Sequence, residues 1–331
     1  MMDWTDRHCR VFHRLISRHA RLYTEMVTTG ALMHGDVPRH LAFNDEEHPV
    51  ALQLGGSEPD DLAHCARLAQ EWGYDEVNLN CGCPSERVQR GAFGACLMAE
   101  PLLVRDCVKA MVDAVDIPVT VKHRIGIDPG TSHAGDSYDF VRDFVGTVSE
   151  GGCRVFIVHA RSAWLKGLSP KENREVPPLH YDYAARLKQD FPDFTIVVNG
   201  GIATHIGVEA QLELVDGVMI GRQAYHDPYW MIEADARWFN DLREVPIRDA
   251  VARAMRDYAA RVIGVRDNTQ PGHPHVVQLR HIARHILGLY QGMPGARAWR
   301  RMLSDATLLA GNDPDLILRA AALTAPARLA A

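Results

Sequence analysis

No apolar run in this 331-residue chain approaches the roughly 18 residues needed to cross a bilayer. The opening MMDWTD lacks the basic start and apolar centre of a signal peptide. A paired C-x-x-C zinc spacing is missing as well. The cysteines at 9, 65, 81, 83, 96, 107 and 153 form no framework, and Cys81 with Cys83 makes only C-x-C. A reducing cytoplasm and no metal are therefore expected. No G-x-G-x-x-G fingerprint occurs, so a dinucleotide is expected to visit rather than reside. Internal repeats are lacking, and the one biased stretch is an Ala-rich tail after Arg319. Lysine is absent from Asn240 onward, where thirteen Arg face eight Asp or Glu, a net +5. The whole chain carries −6, which leaves −11 for the remainder. Such asymmetry suggests that the C-terminal part meets a polyanion, although any single arginine is better explained by a solvated helix face.

What is present is ordinary globular composition, 47% hydrophobic and 24% charged, arranged in a repeating order. Apolar strand candidates fall at 21–27, 49–54, 76–80, 118–122, 155–159, 195–199 and 217–221. Helical apolar spacing separates them, as at Asp60–Trp72 and Pro101–Val115. Near-continuous apolar strands alternating with helices predict a parallel sheet with helices outside. Seven such strands fit a (β/α)8 TIM barrel short of its first strand, of which Met1-Met2-Asp3 would be the tail end. After Phe239 the strand pattern stops. Val251, Ala254, Met255, Tyr258 and Val262 share one helical face, and Ile282, Ile286 and Leu289 another, while Arg280 and Arg284 point together. Two domains are expected, 1–239 as the barrel and 240–331 as a small helical domain.

Chemistry in such a barrel belongs at the carboxyl ends of the strands. There Gly82 and Pro84 stop the strand 76–80 and leave Cys83 on a rigid corner. A small buried hydrophobe is the plainer reading of a free cysteine. Gln53, Lys122 and His159 end otherwise apolar strands. Asn199-Gly200-Gly201 and Gly221-Arg222 end the last two, where barrels frequently hold a phosphate on backbone N–H groups. An amide, a cation, an imidazole and a phosphate cradle suit flavin mononucleotide, with Lys122 offsetting charge on the reduced ring. The connection 160–174 is too long for a plain turn, and its basic residues with Trp164 suit an anionic substrate.

The stretches YTEMVTTGA, HPVALQLGG, LNCGCPSERVQRGAFGACLM, IPVTVKHRIGID, HARSAWLKGLSPKENREVPPL, VVNGGI, DGVMIGRQAYHDP and GLYQGMPGARAWRR occur in order along the chain. In this the sequence closely resembles the tRNA-dihydrouridine synthases of the A-type branch. The resemblance implies an FMN-binding barrel followed by a helical tRNA-binding domain, with NADPH as reductant. It implies Cys83 as catalytic acid and FMN contacts at Gln53, Lys122, His159, Asn199, Gly200, Gly201, Gly221 and Arg222. The family's Pro-Met-Met turn survives only as Met1 and Met2, without its proline. Asn80, Lys171, Arg174, Arg297 and Arg300 match tRNA-contacting positions. Cys81 departs from the family's more common valine, a second thiol that could oxidise with Cys83 despite strained C-x-C geometry.

The implied reaction is reduction of uridine to 5,6-dihydrouridine at positions 20 and 20a of the tRNA D-loop. Hydride passes from reduced FMN to carbon 6, and a proton from Cys83 to carbon 5. A flavin barrel acting on a free pyrimidine, in the manner of dihydroorotate dehydrogenases, is the rival enzyme reading, against which the basic helical domain counts. A tRNA-binding protein without catalysis is the non-enzymatic rival, and bound flavin would count against it.

Overall fold

The computed structural model describes residues 1–85, 91, 93–128, 137–267 and 275–324. Part of the matched glycine-rich stretch, 86–90 and 92, and the end of the Ala-rich tail lie outside them. The described chain divides into two compact units, one of residues 26–35 and 51–221, the other of residues 1–25, 36–50 and 222–324.

A seven-stranded sheet runs β1 (Leu22–Thr28), β2 (Val50–Gly55), β3 (Glu76–Cys81), β4 (Val119–Arg124), β5 (Val155–His159), β6 (Thr195–Asn199) and β7 (Gly217–Met219). Each strand neighbours the next in sequence. This singly wound, parallel order is that of a (β/α) barrel and not of a doubly wound sheet, in which the order reverses. Helices return the chain between strands. Proline opens Pro59–Glu71 and Pro101–Val112, where its missing N–H costs nothing, and Ser137 caps Tyr138–Ser149 by accepting from Phe140 N at 3.2 Å. β2 is buried along its whole length, as a strand covered on both faces must be.

Register decides what faces inward. Gln53 pairs with Asn78, Asn78 with Thr120, Asn80 with Lys122, Arg124 with His159, and His159 with Asn199. Side chains paired across a parallel sheet share a face, and alternate residues leave it. The inner face therefore carries Gln53, Glu76, Asn78, Asn80, Thr120, Lys122, Arg124, His159 and Asn199. Cys81 and His123 are on the outer one. Two strand ends differ from the sequence reading. β4 runs on to Arg124, and β7 stops at Met219, two residues short of Gly221.

The other unit gathers the helices Arg7–Ile16, Arg248–Val262, Leu279–Ile286, Ala296–Met302 and Leu316–Ala321 around one core. Trp299, fully buried, donates its indole N–H to the carbonyls of Ile286 and Leu287 at 3.3 and 3.2 Å. Val11, Phe12 and Ile16 enter the same core. The N-terminal helix thus packs with the C-terminal helices, and the compact units do not coincide with a cut at 239/240. Asp6 caps this helix and accepts from Arg284 at 2.6 Å and His285 at 2.9 Å. Met1 to Asp3 form a turn and not a strand, because the Met1 carbonyl accepts from Trp4 and Thr5 and feeds the capped helix. In Arg248–Val262 the buried stripe contains Ala252 and Ala259, while Ala254 is half-buried. His19, Asp235 and Asp241 approach one another. Their oxygens are engaged by Arg243, Ser17 and the backbone N–H of Arg18, so the cluster is an ion-pair and capping network.

Candidate active site

Cys83 leaves β3 on a turn built by Asn80. The Asn80 side-chain oxygen accepts the backbone N–H groups of Gly82 and Cys83, both at 3.0 Å, the local bond that makes asparagine a turn residue. The Cys83 carbonyl accepts from Ala95 N at 2.9 Å, and its thiol lies 3.6 Å from the Ser85 hydroxyl. Cys83 is half-buried, whereas Cys81 is fully buried and burial raises its thiol pKa far above the ordinary range. On opposite sides of the strand's end, the two differ in kind. Cys81 is a small core residue, and Cys83 is the accessible thiol.

A second bracket comes from Arg124. Its Nε donates to the Gly82 carbonyl at 3.1 Å, and its Nη1 to the carbonyls of Ser162 at 3.1 Å and Asn173 at 2.8 Å. One buried guanidinium thus ties the Cys83 turn to the long connection after β5. Burial, with the nearby Arg174 and Arg161, lowers its pKa to about 10, still charged at neutral pH. Asn173 orders the same connection. Its side-chain oxygen accepts from Trp164 N at 2.7 Å, and its amide donates to the Trp164 carbonyl at 2.9 Å. Lys171 and Arg174 flank this buried asparagine and are exposed. Strand alternation puts Arg124 within reach of sequence reasoning, two residues after Lys122. Asn173 left no local signal.

Lys122 is half-buried on the inner face. Burial lowers its ammonium to about 8, Arg124 pushes the same way, and Cys83 opposes. His159 is held well below the usual imidazole range, first by burial and then by Arg124, Lys122, Arg161 and Arg174. It is neutral at pH 7, able to donate one N–H without adding charge.

Beside His159, the Asn199 side chain donates to the Met219 carbonyl at 2.7 Å and links β6 to β7. The following Gly200 and Gly201 have φ of +116° and +70°. A Cβ on Gly200 would sit 2.7 Å from His159 Cδ2, and one on Gly201 would sit 2.8 Å from Leu179 Cδ1. Only glycine fits this turn, and its bare backbone is the kind of surface on which a phosphate is cradled. Tyr181 steadies it by donating to the Gly200 carbonyl at 2.5 Å.

The chemistry of these donors fits a flavin nucleotide. Gln53 and Lys122 suit the ring's polar edge, His159 is an uncharged donor, and the two glycines leave room for an anionic tail. Gly221 closes the same compact unit. Met1, Met2 and Arg222 belong to the other unit, as do Arg297 and Arg300. Those last two line an open cleft of about 390 Å³ with Gln291, Met293 and Ala296. Arg300 donates to Gln291 Oε1 at 2.9 Å, and Arg297 is exposed.

Strand order, inner polar face and glycine turn are those of an α/β-barrel enzyme. Comparison with known proteins narrows the class. The family model described as dihydrouridine synthase (Dus) matches residues 1–325. A Pseudomonas putida protein named tRNA-dihydrouridine(20/20a) synthase is 59% identical over 304 residues, 92% of this chain and 86% of that protein. Proteins of the same name from Vibrio parahaemolyticus and Escherichia coli are 56% and 54% identical, covering 92% and 99% of this chain and 89% and 91% of theirs. The chain belongs to the dihydrouridine synthase family. Among solved structures, a 2-naphthoyl-CoA reductase bound to 2-naphthoyl-CoA aligns with a TM-score of 0.51 at 13% identity, over 70% of this chain and 46% of that one, a likeness of fold alone.

Proposed function

We propose that this protein reduces uridine to 5,6-dihydrouridine in tRNA, at positions 20 and 20a, using FMN as resident cofactor and NADPH as electron source. The observation that carries the reading is the Cys83 turn, held by Asn80 on the face that also presents Gln53, Lys122 and His159. Relatives sharing more than half of the sequence carry the corresponding name.

When bound, reduced FMN would supply a hydride for carbon 6 of the uracil. Everything else falls to the protein. Charge arriving at carbon 6 spreads onto the carbonyl at carbon 4, so carbon 5 must receive a proton. Cys83 gives that proton as general acid, its half-buried thiol carried on the turn that Asn80 holds at the end of β3. Gln53, Lys122, His159 and the 199–201 turn, with Gly221, would hold the cofactor. The target base must leave its stack to reach a barrel mouth. Lys171 and Arg174, exposed on the long connection, meet the tRNA there, and Asn80 steadies the turn beneath the base. Residues 240–331, with Arg297 and Arg300, bind the tRNA body, while 1–239 houses the flavin. Such an enzyme works in the cytoplasm, with the tRNA pool.

Cys83→Ala tests the assignment. It should retain bound flavin and its reduction by NADPH while tRNA turnover falls by roughly 10²–10⁴, the usual contribution of a positioned acid. Wild-type turnover on tRNA in that variant overturns the reading, as does equal reduction of free uridine and unmodified tRNA by the native enzyme.

A further inference from the structure

The inner polar side chains of β2, β3 and β4 form one hydrogen-bonded chain. The backbone N–H groups of Gly82 and Cys83 donate to Asn80 Oδ1 at 3.0 Å each. Asn80 Nδ2 donates to Gln53 Oε1 at 2.8 Å, and Gln53 Nε2 to Asn78 Oδ1 at 2.9 Å. Asn78 Nδ2 donates to Thr120 Oγ1 at 2.8 Å, and the Thr120 hydroxyl to Glu76 Oε1 at 2.7 Å.

The Cys83 end of this chain fixes its direction. A backbone N–H can only donate, so Asn80 must turn its oxygen to the Cys83 turn and its amide nitrogen to Gln53. Each later amide is then fixed in turn, and the Thr120 hydroxyl ends the series on Glu76. Glu76, Asn78 and Thr120 are all buried. Reversing one member would set N–H against N–H or oxygen against oxygen, leaving buried groups unpaired.

We infer that Glu76, Thr120 and Asn78 are positioning residues of the active site. Through them the amide of Gln53 is held in one orientation, and through Gln53 and Asn80 the turn carrying Cys83 is held in place. A flipped Gln53 would present a donor where a bound ring edge needs an acceptor, and the reverse. This rests on the proposed roles of Gln53 toward flavin and of Cys83 as acid.

Thr120→Val removes the hydroxyl at nearly constant volume, and Thr120→Ser keeps it. Asn78→Asp turns the Nδ2 donor into an acceptor and breaks the direction at a second point. Three measurements read the result. They are FMN affinity of the apoprotein by flavin fluorescence, the visible absorption bands of bound flavin, and the iodoacetamide alkylation rate of Cys83, located by peptide mass spectrometry. Thr120→Val and Asn78→Asp should weaken FMN binding about tenfold, the equivalent of one unpaired buried group. They should also shift the flavin bands and change Cys83 alkylation, with Thr120→Ser restoring all three. If either variant folds with native FMN affinity, bands and alkylation rate, or if Thr120→Ser behaves as Thr120→Val does, the inference is overturned. Should Cys83 not be the acid, Cys83→Ala would stay active while the alkylation effect of Thr120→Val persisted, so the two failures are separable.

Discussion

Arg124 and Gly82 are joined by a 3.1 Å hydrogen bond from the guanidinium Nε to the glycine carbonyl. This links the end of β4 to the turn that carries Cys83. Because Nη1 of the same group holds Ser162 and Asn173, the thiol corner and the long connection after β5 share one anchor.

Replacing that anchor should loosen both partners together. Arg124→Lys keeps a charge but offers donors at one point, which cannot serve carbonyls on separate segments as a planar fork does. The variant should fold, with amide exchange about tenfold or more faster over residues 162–174 and around 82–83, following the loss of bonds worth about 1.5–3 kcal/mol each. Turnover on tRNA should drop alongside. Native exchange protection across 162–174 would show that the loop is held by Asn173 alone.

Lys122 yields a pH prediction whose sign follows from its lowered pKa. Between about 8 in the fold and the ordinary value near 10.4, the unfolded chain binds a proton that the native one has released. Stability therefore gains from this group as pH rises through that window, and below it the buried ammonium is a standing cost. Lys122→Met should stabilise the apoprotein at pH 7 and flatten that rise, seen by urea unfolding at pH 7, 8 and 9.5. An anionic ligand draws the proton back. FMN binding at pH 8.5 should take up protons, measured by calorimetry in two buffers of different ionisation enthalpy, and Lys122→Met should abolish the uptake.

The glycine cradle separates steric from purely conformational cost. Gly200 has a positive φ and a Cβ position 2.7 Å from His159, while Gly167, at φ +81°, has nothing within 4 Å. Gly167→Ala should lower stability by about 1 kcal/mol, the strain of a left-handed alanine, and leave FMN affinity alone. Gly200→Ala should cost more and also displace His159, weakening FMN binding at least tenfold by roughly one lost hydrogen bond. Equal FMN affinity in the two variants would sever the turn from the cofactor.

How much of this could be read beforehand depended on locality. The strands 155–159 and 195–199 are found where the apolar runs predicted them, because short β-branched runs between turn residues carry their own signal. The inner polar face was half legible. Gln53, Lys122 and His159 stood out as polar ends of apolar strands. The alternation Glu76, Asn78, Asn80 was equally visible as a period-two polar stripe, yet an interior of amides has meaning only once parallel register sets Asn78 beside Gln53 and Thr120. Arg124 had the right spacing from Lys122 but was expected beyond the strand's end. Asn173 could not be found at all, since its partners are backbone groups of a loop that it folds itself. Met1 and Met2 were expected as the end of a strand and form a turn, since the capped helix beginning at Arg7 draws those residues into its own approach.

Arg297 and Arg300 lead to a test of the polyanion reading that uses ionic strength. Both line the same open cleft, but Arg300 is partly held by Gln291 Oε1, whereas Arg297 is exposed. Each phosphate neutralised by an arginine releases condensed counterions, which lowers the slope of log K against log salt by about 0.7–0.9 per contact. Arg297→Ala and Arg300→Ala should each weaken tRNA binding and make that slope shallower by about this amount, with the double variant near twice it. FMN content and NADPH oxidation should not change, because neither residue is among those proposed to hold the cofactor or to carry the proton. Filter binding across 50–300 mM salt would measure the slopes. An affinity loss with an unaltered slope would mean that the arginines support the helix Ala296–Met302 and leave phosphate to other residues.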